Sequence, residues 1–173
     1  CQRPFRSPHH TMSIASLVGG GARPKPGEIS AAHNGVLFLD ELPEFPKNVI
    51  EGLRQPLEDG QVTIARAAGR ITYPSRFMLV CAMNPCKCGW YGSGVHECTC
   101  PPQSVKNYRA RVSGPLLDRI DMILEVPALG FDELSNRAGG EGSADIRKPV
   151  DAARERQRRP YIPSATQCNA PTQ

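Results

Sequence analysis

The chain has 173 residues, with 21 Lys and Arg against 17 Asp and Glu, a formal net charge of +4 and a pI near 8.8. This weakly basic balance is only a mild pointer to an anionic partner. No apolar run approaches the roughly 20 residues of a membrane span, and the opening Cys1-Gln2-Arg3-Pro4-Phe5-Arg6 has no signal-peptide core, so no membrane partner is expected.

Length alone predicts one domain, or one and a piece of another. The absence of an initiating Met reads as a piece of something longer. The 16 Gly and 17 Pro predict loop-rich connections around a modest core. Four of the seven cysteines fall between Cys86 and Cys100. That clustering favours metal binding in a reducing, cytoplasmic compartment over a disulfide scaffold.

Residues 1–13, with Pro4, Pro8 and the pair His9-His10, predict a short extended or looped entry. Adjacent side chains on an extended segment point to opposite faces, so the two histidines are read as structural rather than as paired ligands. An apolar patch, Ile14 to Val18, precedes Gly19-Gly20-Gly21-Ala22-Arg23-Pro24-Lys25-Pro26-Gly27, a flexible loop whose prolines stop any helix. Arg23 and Lys25 on this exposed loop are read as solvated, with contact to a polyanion as the alternative. No Gly-x-x-x-x-Gly-Lys-Ser/Thr phosphate-binding loop occurs anywhere in the chain.

The run Val36-Leu37-Phe38-Leu39-Asp40-Glu41 is four apolar residues followed by two adjacent carboxylates. Four apolar residues without alternation predict a strand buried on both faces, as in a parallel sheet. The acids then stand at its C-terminal end, the edge where open α/β sheets bind ligands. Two neighbouring carboxylates there call for a cationic partner. Mg²⁺ carried with a nucleoside triphosphate is one, since it takes one or two carboxylates and keeps several waters. An ordinary solvated strand end is the alternative.

Val49, Ile50, Leu53 and Leu57 recur at helical spacing and predict a helix from about Lys47 to Leu57. Residues 61–74 predict a β-hairpin with arms Val62-Thr63-Ile64 and Ile71-Thr72-Tyr73 and a turn at Ala67-Ala68-Gly69. Arg66 and Arg70 flank its tip. They serve either as a nucleic-acid or polypeptide probe or as solubilising charge. Phe77 to Met83 predicts a second buried strand ending at Asn84. If this strand runs parallel beside the first, Asn84 joins Asp40 and Glu41 on one edge, where an amide suits holding a water or a phosphate oxygen; a capping role is the alternative.

Cys86-Lys-Cys88 and Cys98-Thr-Cys100 are two thiolate pairs closing a loop, the donor set of a tetrahedral Zn²⁺. With four thiols present, His96 is read as an outer neighbour or a substitute ligand. Residues 102–119 predict a helix and a turn ending at Arg119, and Ile120 to Pro127 a third strand. Residues 128–148 read as a loop or linker. A basic helix is expected from about Pro149 to Arg159, with Pro149 in its first turn, followed by an aperiodic tail from Pro160 to Gln173.

Taken together, KPGEISAAHNGVLFLDELPEF, AMNPCKCG and SGPLLDRID resemble the AAA+ ATPases, and within them the magnesium-chelatase-like branch (the YifB/ComM group), over nearly all of residues 3–159. The resemblance implies a P-loop NTPase fold: a three-layer αβα core around a mostly parallel sheet, with a β-hairpin insertion and a Cys-rich loop. It implies that Asp40 is the Walker B acid holding Mg²⁺, that Glu41 orients the attacking water, and that Asn84 is the sensor near the γ-phosphate. Arg119 would be an arginine finger reaching a neighbouring subunit's nucleotide in a homo-oligomeric ring, a hexamer by family habit. The hairpin would point to a central pore, raising Arg66 and Arg70 as DNA contacts. Residues 1–143 would be the partial ATPase core and 144–173 a linker and the start of the lid.

The Walker A loop and its strand, which family sheets place between the strands ending at Asn84 and Val126, are missing from the sequence. The expectation is therefore that this stretch alone neither binds ATP usefully nor folds as a stable monomer. The implied function of the whole is an ATP-driven ring motor of the ComM type acting on DNA, as in branch migration during transformation. A chelatase-type motor subunit and a zinc-binding interaction module with a degenerate ATPase core are the alternatives.

Overall fold

The computed structural model describes residues 3–21, 24–66, 69–128 and 140–158. In chain order these form β1 (Phe5–Arg6), α1 (Ile14–Val18), β2 (Gly19–Gly20), β3 (Lys25–Pro26), α2 (Glu28–Ala31) and β4 (Val36–Leu39). A 3₁₀ turn at Leu42–Glu44 leads into α3 (Lys47–Glu51) and α4 (Arg54–Asp59). Then come β5 (Gln61–Arg66), β6 (Gly69–Pro74), β7 (Met78–Cys81), α5 (Pro102–Arg109), α6 (Gly114–Leu117) and α7 (Ser143–Arg158). The chain divides into two units, Cys1–Ala128 and Leu129–Gln173; of the elements above, α7 alone lies in the second. None of the described helices is long and apolar enough to cross a membrane.

The fold is mixed α/β, built on a parallel sheet in the order β1-β4-β7. Phe5 pairs with Val36, and Val36 to Leu39 pair in turn with Met78 to Cys81. β1 occupies only two residues of the predicted looped entry, too short for any periodic signal. It lies close against the start of β4: a Cβ on Gly35 would overlap the Pro4 carbonyl, whose oxygen accepts from the Val36 N–H at 2.9 Å.

One face of the sheet carries the core. Leu37 and Leu39 are fully buried with Leu17, Ile29, Leu42, Val49, Ile50, Leu53 and Leu116. The opposite face is not covered as expected. Val36 and Phe38 are half-buried, Met78 is 61% exposed, and Phe5 stacks on Phe38. No described element packs there, so burial on both faces is corrected to burial on one.

Three further expectations change. The single helix over 47–57 is two, α3 and α4, separated at Gly52-Leu53. Pro56 forces the break, because its ring would clash with the carbonyl four residues back while it offers no N–H. In the first turn of α4 it is tolerated. The segment 102–119 is likewise two short helices, α5 and α6. Ile120 to Pro127 is not a strand: Leu124 is 76% and Val126 87% exposed, and no described strand lies beside them to complete a ladder.

The hairpin forms as predicted, from Gln61↔Pro74 to Arg66↔Gly69. Its turn residues Ala67 and Ala68 lie outside the described residues, as do Arg23, the linker at 129–139 and the tail from 159 onward. α7 begins at Ser143, inside the predicted linker, and places Pro149 in its interior. Lys148 bonds Asp145 at 2.8 Å and supports the turn that Pro149 leaves one hydrogen bond short.

Arg6 on β1 grips Glu28 on α2 in a bidentate pair at 2.6 and 2.7 Å. The guanidinium holds the Glu28 carboxyl below its ordinary value by hydrogen bonding, against partial desolvation. Because the folded-state value is depressed, the stabilisation is present above the ordinary carboxylate range and is lost as pH falls through the folded value. Glu28→Gln is expected to cost about 0.5–1 kcal/mol at neutral pH, the range for solvent-screened pairs. The stabilities of wild type and variant should converge as pH falls through the lowered folded-state value of Glu28; a pH-independent difference would contradict the assignment.

Candidate functional site

The parallel register carries the strand ends to a common rim. Beyond the Leu39↔Cys81 pair, the Ala82 N–H donates to Leu39 O at 2.9 Å and the Leu42 N–H to Ala82 O at 3.0 Å. Asp40 and Glu41 therefore leave the sheet on the same edge as Asn84, two residues past Ala82. All three are exposed, as groups that meet a ligand from solvent must be.

Glu41 sits in the left-handed region, φ 52° and ψ 46°. A non-glycine residue there costs on the order of 1–3 kcal/mol and is found disproportionately at functional sites. The surroundings fix it. Its N–H donates to Asp40 Oδ1 at 2.9 Å, while the next residue, Leu42, is buried and opens the 3₁₀ turn.

His10 was missed by sequence reasoning. Its Nδ1 lies 3.2 Å from Glu41 Oε2, its ring stands edge-on to Phe45, and the His9 and His10 rings meet at 4.1 Å. The expectation of opposite-facing side chains fails because this segment is a turn, not a strand. No local sequence signal points to the Glu41 contact, which depends on β1 bringing the entry segment beside β4.

Arg119 ends the turn after α6. Its guanidinium pairs with Glu58 at the end of α4 and donates to Pro115 O at 2.9 Å. No described hydrogen bond or ion pair joins it to the acid rim. Arg70 is exposed on the hairpin; Arg66 closes the β5 ladder opposite Gly69, and its side chain lies outside the described residues.

The cysteines converge. The Sγ atoms of Cys86, Cys88, Cys98 and Cys100 all lie within 4.8 Å of one another, with separations of 3.3 Å (86–88), 3.7 Å (86–98) and 3.5 Å (88–98). Four thiolates around one Zn²⁺ at 2.3 Å stand roughly 3.8 Å apart, so donor chemistry and spacing are compatible with zinc. His96 packs edge-on to Trp90 at 4.4 Å and is not among the clustered donors.

Backbone N–H groups turn toward the sulfurs. The Trp90 N–H, with the Cys86 thiol and the Thr99 N–H, pulls Cys88 down to about 6. Cys98 receives the Cys100 N–H, yet burial and the Cys88 and Cys86 sulfurs push it up to about 12. Gly89, at φ 84°, supplies the reversal that aims these N–H groups inward. Arg109 ties the loop to α5, donating to Pro85 O at 3.1 Å and lying 5.0 Å over the Tyr91 ring.

Comparison with known proteins gives the family. The family model for magnesium chelatase, subunit ChlI, matches residues 1–134. The chain is 53% identical over 159 residues to the Salmonella typhimurium protein described as uncharacterized protein YifB, covering 91% of this chain and 31% of that protein. It is 55% identical over 157 residues to competence protein ComM of Haemophilus influenzae, covering 90% and 30%. A magnesium-chelatase subunit ChlI homolog of Methanocaldococcus jannaschii is 32% identical over 76 residues, 43% of this chain and 21% of that protein. The chain thus spans about a third of the length of the YifB and ComM relatives.

In the reduced, metal-stripped chain at neutral pH, Cys88 should alkylate well before Cys98, since only a thiol near 6 is mostly thiolate there. Peptide mass spectrometry over a time course checks this; equal rates at both positions would refute the assigned asymmetry.

Proposed function

The chain belongs to the magnesium chelatase ChlI family, and on that premise we propose that it is the Walker B-to-finger portion of an AAA+ ring ATPase that acts on DNA. The observation that carries this is the shared rim, on which a parallel ladder sets Asp40, Glu41 and Asn84 together. Asp40 holds Mg²⁺, directly or through water. Glu41 polarises the attacking water, and Asn84 contacts that water or the terminal phosphate. Phosphoryl transfer suits such a division of labour, because catalysis there is mostly positioning and charge stabilisation.

Arg119 is the finger for the neighbouring subunit's nucleotide. Such a group contributes about 10³–10⁵ in rate in well-studied GTPases, which makes hydrolysis depend on ring assembly, taken to be hexameric. In this role it exchanges Glu58 for the γ-phosphate. The phosphate-binding loop and its strand belong to sequence outside these residues. They fill the place beside β7, the edge strand of the order β1-β4-β7, and give Ile120 to Pro127 its missing neighbour.

Arg70 and Arg66, at the hairpin end, contact DNA. The identity to a competence protein over most of the chain favours DNA as the substrate. The chelatase motor is the second reading, favoured by the family model; hydrolysis that ignores DNA but responds to a chelatase partner would select it.

The four cysteines hold one structural Zn²⁺, whose chemistry is to cross-link the loop after Asn84. Metal analysis should find about one zinc per chain, lost in Cys86→Ser or Cys100→Ser; four freely titrating native thiols would refute it. In the full-length protein, Glu41→Gln and Arg119→Ala should each lower DNA-stimulated hydrolysis at least 10²-fold. Glu41→Gln should retain ATP binding. Wild-type turnover in either variant would overturn the assigned role.

A further inference from the structure

Beside the acid rim, between the cysteine loop and α5, lies an open cleft of about 400 Å³ lined by Lys87, Ser104, Asn107, Tyr108 and Arg111. None of the sequence motifs accounts for it. Ser104, Asn107, Tyr108 and Arg111 stand at helical spacing along one face of α5 and its continuation, and Lys87 faces them from between two metal-ligand cysteines.

The lining consists almost wholly of hydrogen-bond donors. Lys87 is exposed and has no described ion-pair partner. Arg111 spends one nitrogen on Pro43 O at 2.9 Å and Glu44 Oε2 at 3.0 Å, leaving the rest of its fork free. Asn107 accepts from Gln103 Nε2 at 2.9 Å through its own Oδ1, so its amide N–H₂ remains available. Tyr108 is only 3% exposed as a residue, and it lines the cleft; its hydroxyl has no hydrogen-bond partner among the described residues and is not sealed from solvent. A hydroxyl without a protein partner is completed by water or by a ligand. Burial, with the Glu44 and Glu41 charges, raises the Tyr108 phenol, which keeps it a donor.

A lysine, a partly free guanidinium, an amide N–H₂ and two hydroxyls around one cleft match an oxyanion with several lone pairs. We propose that this cleft binds a backbone phosphate of DNA, and that the metal loop is the device that sets Lys87 in place. This rests on the DNA reading above and adds to it a contact surface separate from the hairpin. Because Lys87 is flanked by Cys86 and Cys88, metal occupancy fixes its backbone. Phosphate contact and zinc content are thereby linked.

The test uses full-length protein and fluorescence anisotropy with duplex and single-stranded DNA across a salt series, without nucleotide. Lys87→Gln should reduce the slope of log affinity against log salt by about one. Tyr108→Phe, which keeps the buried ring, should weaken binding about three- to tenfold at fixed salt with zinc content unchanged. Wild-type binding by both variants, while Arg70→Ala weakens it, would overturn the cleft assignment and leave the DNA reading standing. Absence of salt-dependent DNA binding by the wild type would overturn both. Unaltered DNA binding with a raised KM for ATP in either variant would assign the cleft to the nucleotide and overturn the DNA assignment.

Discussion

The parallel pairing of β4 with β7 is the constraint on which the molecule depends. Four residue pairs and two further backbone bonds carry the register out to Leu42. The pairing fixes two things at once. It places Leu37 and Leu39 against the core, and it brings the ends of two distant segments to one rim. A slip of one residue would turn those leucines outward and separate Asn84 from the acids. Core packing and site geometry are therefore set by a single ladder, and neither can drift without the other.

The acids on that rim are not left as bare carboxylates. His10 approaches Glu41, Arg111 holds Glu44, and the Glu41 N–H caps Asp40. Each partner comes from a different element: the entry turn, the segment after α5, and the backbone itself. The Arg111 guanidinium partly offsets the repulsion between neighbouring acids while Asp40 and Glu41 stay open to solvent. Glu41 meanwhile adopts a backbone geometry better suited to glycine or asparagine. Local comfort is given up there for the direction of one side chain, as is common where chemistry is done.

What the sequence disclosed was what is local or chemically distinctive. Four apolar residues before Asp40-Glu41 marked a strand and its end, alternating arms marked the hairpin, and paired cysteines marked the cluster. Periodicity found the apolar face of Val49, Ile50 and Leu53 but not the division between α3 and α4, because the spacing survives a one-turn interruption. Ile120 to Val126 has every compositional mark of a strand. Yet a strand exists only by virtue of its neighbour, which no pattern within the segment can reveal. The His10 contact, the Arg119–Glu58 pair and the cleft at Tyr108 were invisible for the same reason. Each joins residues far apart in sequence whose meeting depends on the whole fold.

The cysteine loop differs from the sheet in the distance its contacts span. Its four sulfurs come together within the stretch from Cys86 to Cys100, whereas β4 must find a partner that begins at Met78. Closing a short loop costs less chain entropy than closing a long one, and local contacts form sooner. A metal ion captured by these thiols would make the loop an early, self-contained knot on the emerging polypeptide. The sheet would then condense against a finished piece, with Arg109 already poised to fasten the two together.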